Sequence, residues 1–278
     1  MNNGKLFVCG TPIGNIKDIT LRCLDTLKSV DMIACEDTRQ TLKLLNHYGI
    51  KKKLLSYHEH NKKESGQNIL KLMRDGKNIA LVTDAGVPCI SDPGAELVFL
   101  LRKNFISVEI IPGPSAFITA VALSGIDSRR FVFEGFVDSD KKSRHEFIKR
   151  IKFDERMTII YEAPHRLLNT LKFLLDELGD RKIFLAHELT KIHESSYFGH
   201  LSEVIKYLES NPPRGEYVVI ICGYEENKNF DFENMSIEQH INFYLENGFD
   251  LKSAIKNVAR DRNISKNEVY LIAHKIKK

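Results

Sequence analysis

Several common signatures are missing from this chain, and each absence narrows what it can be. Five cysteines are present (Cys9, Cys23, Cys35, Cys89 and Cys222), but none forms a C-x-x-C pair. That argues against a structural zinc site built on paired thiolates, and buried, reduced thiols in apolar stretches are the expected state. No apolar run reaches the roughly 18 residues needed to cross a bilayer. The opening, Met1 to Lys5, leads into only a short apolar run, so no signal peptide is read and a cytoplasmic protein without membrane contact is expected. Internal repeats and low-complexity segments are also lacking. Charge of one sign is scarce: the net charge is +4, which permits an anionic partner without requiring one. The excess gathers at Lys51–Lys53, at Lys141–Lys152 (with Arg144, His145 and Arg150), and in the tail from Lys252 to Lys278. These stretches are either solvated faces or surfaces that neutralise phosphates.

What is present is enough apolar material, 42% of 278 residues, for one large domain or two modest ones. The first half alternates short apolar runs with helical patterns, the mark of an α/β domain. Strands are predicted at Leu6–Cys9, Met32–Cys35, Lys53–Tyr57, Ile79–Thr83 and Val108–Ile111. Helices are predicted between them, with Asp18 as the first N-cap, starts near Gln40, Ser65 and Gly94, and a stop at Gly49. Four strands end in unusual loops: Gly10–Asn15, Glu36–Arg39, Thr83–Asp92 and Pro112–Ala116. In an open parallel sheet the ligand crevice lies beyond the carboxyl ends of the strands, so the four loops should face one side. The second half predicts strands at Phe131–Phe136, Thr158–Tyr161, Ile183–His187 and Tyr217–Cys222, a helix over Leu167–Leu178 and a short helix around Val204–Leu208: a second α/β layer with a mixed sheet. A polar linker over residues 225–234 precedes three amphipathic segments. Ile237, Ile241, Tyr244 and Leu245 form one stripe, Leu251, Ile255 and Val258 a second, and Val269, Ile272 and Ile276 a third, capped by Ser265. Such a bundle resembles a helix-turn-helix, and is either a stabilising appendage or a nucleic-acid reader.

The loops carry the chemistry. Gly10–Asn15 is not the dinucleotide fingerprint, because Pro12 stands where the second glycine belongs, and no Gly-Lys-Ser/Thr follows to make a Walker A loop. It is a tight turn or a cofactor loop of another type. Glu36, Asp37 and Arg39 form an internal ion pair or a site at the sheet edge, where Arg39 could grip a phosphate. His58, Glu59 and His60 lack a third metal ligand, so an exposed loop is expected and no metal. Asp84–Pro88 with Ser91–Gly94, and Pro112–Ala116, hold backbone groups in fixed directions suited to a ligand, and Ser115 is placed to cap the next helix. Glu162, His165 and Arg166 bring a carboxylate, an imidazole and a guanidinium within five residues, a helix start or a base with a phosphate clamp.

These stretches, in this order over about residues 6–223, resemble the ribosomal RNA small-subunit methyltransferase I family of the tetrapyrrole-methylase superfamily. Val87, where that family commonly has threonine, is a small departure. The resemblance implies an α/β, two-domain tetrapyrrole-methylase-like fold: an N-terminal domain over 1–116, a C-terminal domain over 117–224, a cofactor cleft between them, and a linker with a helical tail over 225–278. It implies S-adenosylmethionine as cofactor. It implies 2′-O-methylation of a cytidine ribose in small-subunit (16S) ribosomal RNA near the decoding site, on free RNA or an assembled 30S subunit, and a homodimer. By position, Pro12, Val87, Ile90, Ser115, Ala116 and Tyr161 resemble the family's cofactor contacts, with Leu189 and Glu216 added from the second domain. A ribose hydroxyl is a weak acid, so something must accept its proton. Glu162 or His165 is the expected acceptor, with Arg39 and Arg166 positioning phosphates. A small-molecule tetrapyrrole methylase and a non-catalytic RNA-binding module are the competing readings.

Overall fold

The computed structural model describes residues 3–225, 235–262 and 264–276. Residues 1–224 form one compact unit and residues 225–278 a second. In the first unit, strands β1 (Lys5–Cys9), β2 (Met32–Cys35), β3 (Lys53–Ser56), β4 (Ile79–Val82) and β5 (Ser107–Ile111) make a sheet of order β3-β2-β4-β1-β5. Every neighbouring pair in it is parallel. A parallel sheet covered on both faces needs continuously apolar strands, and all four residues of β4 are buried. One face packs Leu6, Ile79 and Leu81 against α3 (Lys62–Arg74) and α4 (Ala95–Lys103). The other packs Cys9, Ile33 and Val82 against α1 (Leu21–Ser29) and α2 (Thr38–His47). Cys9, Cys23 and Cys35 are buried there, whereas Cys89 and Cys222 are half-buried.

The second sheet has order β6-β7-β10-β8-β9, from β6 (Phe131–Phe136), β7 (Met157–Glu162), β8 (Lys182–His187), β9 (Ser195–His200) and β10 (Tyr217–Ile221). Only β6 and β7 run parallel. One face is covered by α6 (Lys141–Ile151), α7 (Pro164–Leu178) and α8 (Leu201–Ser210). Against the other lies α5 (Ala116–Ser124), through Ala120 and Val121, in a cluster that also takes in Ile13 from the loop after β1. The chain therefore leaves the first sheet at β5 and packs at once on the second.

The observed elements differ from expectation at identifiable places. Asp18 does not cap α1. It ends a 3-10 turn at Ile16–Asp18, and Thr20 Oγ1 instead accepts from Cys23 N–H at 3.1 Å. Helix α2 starts two residues early because Asp37 Oδ1 accepts from Arg39 N–H at 2.7 Å, capping it. Helix α3 begins at Lys62 rather than Ser65. Ser115 occupies the N-cap position of α5, but its side chain makes no capping bond. Two elements were not read at all. Charge hid α6, whose buried stripe is only Phe147, Ile148 and Ile151. Polarity hid β9, an outer strand with no buried residue.

The second unit is a three-helix cluster: α9 (Ile237–Glu246), α10 (Leu251–Asp261) and α11 (Lys266–Ile276). Ile241, Tyr244, Ile255, Val258 and Val269 form its core, and Leu245 is 37% exposed. Ser265 and Glu268 cap α11 reciprocally, at 3.3 and 3.1 Å. His240 is fully buried, with Arg262 Nε donating to its Nδ1 at 3.1 Å, and burial is the main cause of its lowered pKa. Most of the expected linker (226–234), the first two residues, the final two lysines and the side chain of Ile276 lie outside the described residues. Among the described residues no helix is long and apolar enough to cross a membrane.

The loops after β1 and β5 meet backbone to backbone. A Cβ on Gly113 would sit 2.8 Å from the Gly10 Cα, and one on Gly10 would sit 2.7 Å from the Gly113 Cα. Only glycine at both positions permits this approach. Gly113→Ala is therefore expected to cost about 1–3 kcal/mol of stability, as overpacking does in a tight site. Denaturant unfolding checks this, and a midpoint equal to that of the unsubstituted chain would contradict it.

Candidate active site

The crowded glycines fix where the first loop goes. Beyond Gly10, Thr11 pairs with Gly86 in a short antiparallel bridge, with N–H to O distances of 2.8 and 3.2 Å, and its buried hydroxyl donates to Thr83 O at 3.1 Å. The loops after β1, β4 and β5 are thus joined by main-chain contacts. The first loop also reaches the second sheet's side of the unit, where Asn15 N–H donates to Thr190 Oγ1 at 2.9 Å. In the loop after β4, Cys89 and Ser91 have φ of +73° and +61°. Non-glycine residues in that region cost conformational energy and mark a segment held by its surroundings.

Between these loops and the second sheet lies a cavity of about 450 Å³, inside the range of about 300–1,000 Å³ usual for small-molecule sites. Of the expected cofactor contacts, Val87, Ile90, Ser115, Ala116, Tyr161, Leu189 and Glu216 line it. Pro12 does not, and its neighbour Ile13 takes that part of the wall. Ala186, Tyr217 and Val218 on the strands and Phe136 at the end of β6 complete the second-sheet side. Sequence reading missed Ala186, Tyr217 and Val218 because those strands carry no glycine or proline motif there.

The residues expected to do chemistry are divided by the structure. Glu162 lines the cavity, but its side chain is fully buried and bonded on all sides. Thr170 Oγ1 donates to it at 2.6 Å, Ala163 N–H at 2.9 Å, and Arg166 Nε lies 3.2 Å away. Its oxygens are thus engaged by a guanidinium and two hydrogen-bond donors of the fold itself. Arg166 also donates to Val137 O, so its guanidinium is directed into the fold rather than toward a phosphate. His165 is exposed on the first turn of α7 and lies off the cavity wall. Arg39 is exposed on the first turn of α2, three residues beyond the lining residue Glu36. The pair Glu162–Arg166 therefore braces β7 against α7, whereas Arg39 stands on exposed surface.

Besides Glu162 and Glu216, the carboxylates of Glu36, Asp84 and Asp92 line the cavity. Burial pushes the Asp92 carboxyl up to about 6; a hydrogen bond from Thr83 opposes the rise, and Glu36 and Asp84 add to it. Burial likewise pushes the Tyr161 hydroxyl up to about 12, while that oxygen accepts from Phe117 N–H at 3.3 Å. At the rim Glu216 is bound to Lys191 at 2.9 Å, which also holds Glu188 at 2.8 Å. Asp84 and Asp92 lay within loops read for their backbone groups, so their acidity went unread. His58 and His60 stand in a turn, and the described residues hold no group of three metal-binding side chains.

Two sheets joined by glycine-rich loops around an acidic, partly apolar cavity define the class. Residues 5–205 match the family model of the tetrapyrrole (corrin/porphyrin) methylases. Solved structures with this arrangement include a diphthine synthase (TM-score 0.65, 16% identity, 79% of this chain and 89% of that one). A cobalt precorrin-4 methyltransferase is also similar (TM-score 0.60, 19% identity, 78% and 94%). At such identity these establish the fold alone. Closer in sequence are the ribosomal RNA small subunit methyltransferases I of Bacillus subtilis, 45% identical over 98% of this chain and 94% of the relative, and of Thermotoga maritima, 48% identical over 80% of this chain and the whole of the relative. The chain belongs to the ribosomal RNA small subunit methyltransferase I family of the tetrapyrrole methylases.

S-adenosylmethionine is the methyl donor of this family, and the cavity's donor set fits it. Ile13, Ile90, Leu189 and Val218 offer apolar surface for a nucleobase. Glu36, Asp84 and Asp92 suit its cationic groups, and the N-terminus of α5 at Ser115 and Ala116 suits a carboxylate. The bracing role of Glu162 yields a prediction. Glu162→Ala leaves Arg166 without its partner and is expected to destabilise the fold by about 3 kcal/mol. A loss under about 1 kcal/mol in denaturant unfolding, within the range of an exposed pair, would contradict that role.

Proposed function

We propose that this chain 2′-O-methylates the ribose of a cytidine in small-subunit ribosomal RNA near the decoding site, using S-adenosylmethionine. The observation that carries the reading is the 45% identity, through 98% of the chain, with a relative named for that RNA. The cavity formed by the same motifs supports it. Val87, Ile90, Ser115, Ala116, Tyr161, Leu189 and Glu216 hold the cofactor, with Ile13 in the place expected of Pro12. When bound, the cofactor supplies an electrophilic methyl group on a positively charged sulfur. The protein's part is to align the ribose oxygen with that methyl in a site closed to water.

The RNA meets basic surface outside the acidic cavity. Helix α6 begins five residues after Phe136, whose ring is 57% exposed at the cavity wall. On it Arg150 is paired with Glu134, Lys149 with Glu146, and Arg144 stacks on Phe173 at 4.1 Å. Lys141, Lys142 and His145 are left to meet phosphates, as is Arg39. The reading includes a homodimer, as the family resemblance implies, and light scattering should give twice the chain mass.

Incubation with labelled S-adenosylmethionine and either small subunits or free RNA, followed by mapping of the label, tests the substrate. Label on a cytidine 2′-oxygen is expected; label on a base, or on a porphyrinoid alone, would refute it. Ala116→Phe pushes a ring into the cavity and is expected to weaken cofactor binding on the order of 100-fold with unchanged circular dichroism. Unaltered affinity in calorimetry would place the cofactor elsewhere.

A further inference from the structure

A second cavity, about 460 Å³, lies beside the first and is lined by Glu36, Glu59, Asp92 and Glu96, among others. It shares Glu36, Ser91 and Asp92 with the cofactor cavity, so these residues form a common wall. Buried Thr83 donates to Glu36 Oε2 at 3.4 Å and fixes that part of the wall. We infer that Asp92 accepts the proton of the attacking ribose hydroxyl and releases it to the acidic vestibule on the far side of the wall. This rests on the reading proposed above.

Elimination among the lining carboxylates supports the choice. Glu162 is bonded to Arg166, Thr170 and Ala163. Glu216 is paired with Lys191, and Asp84 is exposed and accepts from Asp37 N–H at 3.3 Å. Asp92 is half-buried, sits between the two cavities, and has no cationic partner among the described residues. Its backbone is fixed by the left-handed Ser91 beside it. The groups that face it from other elements are Glu36 after β2, Asp84 after β4 and Tyr161 on β7, with Cys89 and Glu96 nearby on its own loop and α4. All are neutral or acidic. The vestibule's outer carboxylates, Glu59 and Glu96, are exposed and share Lys62 at 2.6 and 2.5 Å.

The step balances. The hydroxyl O–H bond breaks and its proton goes to the Asp92 carboxylate. The oxygen's electron pair forms the new O–CH₃ bond, and the pair of the broken C–S bond stays on sulfur, leaving a neutral thioether. One positive and one negative charge disappear together, and Asp92 ends as a carboxylic acid. Returning it to the carboxylate requires an exit for the proton that does not cross the product, which the vestibule provides. A base with a pKa near 6 is ionised at neutral pH yet still accepts a proton effectively.

The test is single-turnover methyl transfer to unmethylated small subunits at saturating S-adenosylmethionine, from below to above pH 6. Because the active form is the carboxylate, the unsubstituted chain's rate should rise tenfold per pH unit below about 6 and level off above it. Asp92→Asn should lower the plateau on the order of 10²–10⁴-fold and abolish the rising limb, while calorimetry shows cofactor binding kept. Glu36→Gln should move the midpoint to lower pH, since removing a neighbouring negative charge eases ionisation of Asp92. If Asp92→Asn does not fold, the Glu36→Gln midpoint decides alone. An unsubstituted rate with no limb, an Asp92→Asn variant that retains it, or a Glu36→Gln midpoint that stays in place overturns the inference. No transfer to RNA by the unsubstituted chain would instead strike the functional reading itself.

Discussion

The site depends on one close approach, the main-chain contact of Gly10 with Gly113. It sets the exit direction of the chain from β1, which places Thr11 for its bridge to Gly86 and thereby positions the loop after β4. The same contact sets the start of α5, which packs on the second sheet through Ala120 and Val121. A side chain at either glycine would part the loops and, with them, the two walls of the cavity. Catalysis by alignment tolerates little such movement, since positional errors near one ångström cost orders of magnitude in rate.

Charge is distributed in accordance with two different ligands. Inside, Glu36, Asp84 and Asp92 make the cavity acidic, which suits a sulfonium and repels phosphate. Outside, the unpaired cations of α6 and Arg39 stand on exposed helix surface. A polyanion held by those cations can offer one nucleotide to the acidic interior without its backbone following. The cost of gathering carboxylates in a partly apolar wall appears as the raised pKa of Asp92, and a group tuned in this way by burial and like charge is a mark of a functional site.

Much of this was legible in the sequence, for physical reasons that differ by region. Parallel strands inside the sheet read as apolar runs, so β1, β2 and β4 were placed within about a residue, as was the edge strand β5 from its Val108, Ile110 and Ile111, and the rule that ligands sit beyond their carboxyl ends located four loops. Helix starts were less legible where a cap lay outside the hydrophobic pattern, as with Thr20 and Asp37. Charged α6 and polar β9 were lost because each buries so little. The site residues divide similarly. Val87, Ser115 and Tyr161, which line the cavity, stand on motifs that drew attention to them, whereas Ala186 and Val218 line it from plain strands that did not. The partners of Glu162, Thr170 and the inward-turned Arg166, were not legible because they become its neighbours only once α7 is folded onto β7.

The central claim, that these loops and the second sheet enclose the methyl donor, is tested most directly by a crystal structure with the demethylated product S-adenosylhomocysteine bound. The account predicts the nucleoside against Ile13, Leu189 and Tyr161, with its sulfur on the side of the cavity that carries Asp92. Ligand density on any other surface, with this cavity filled only by solvent, would contradict it.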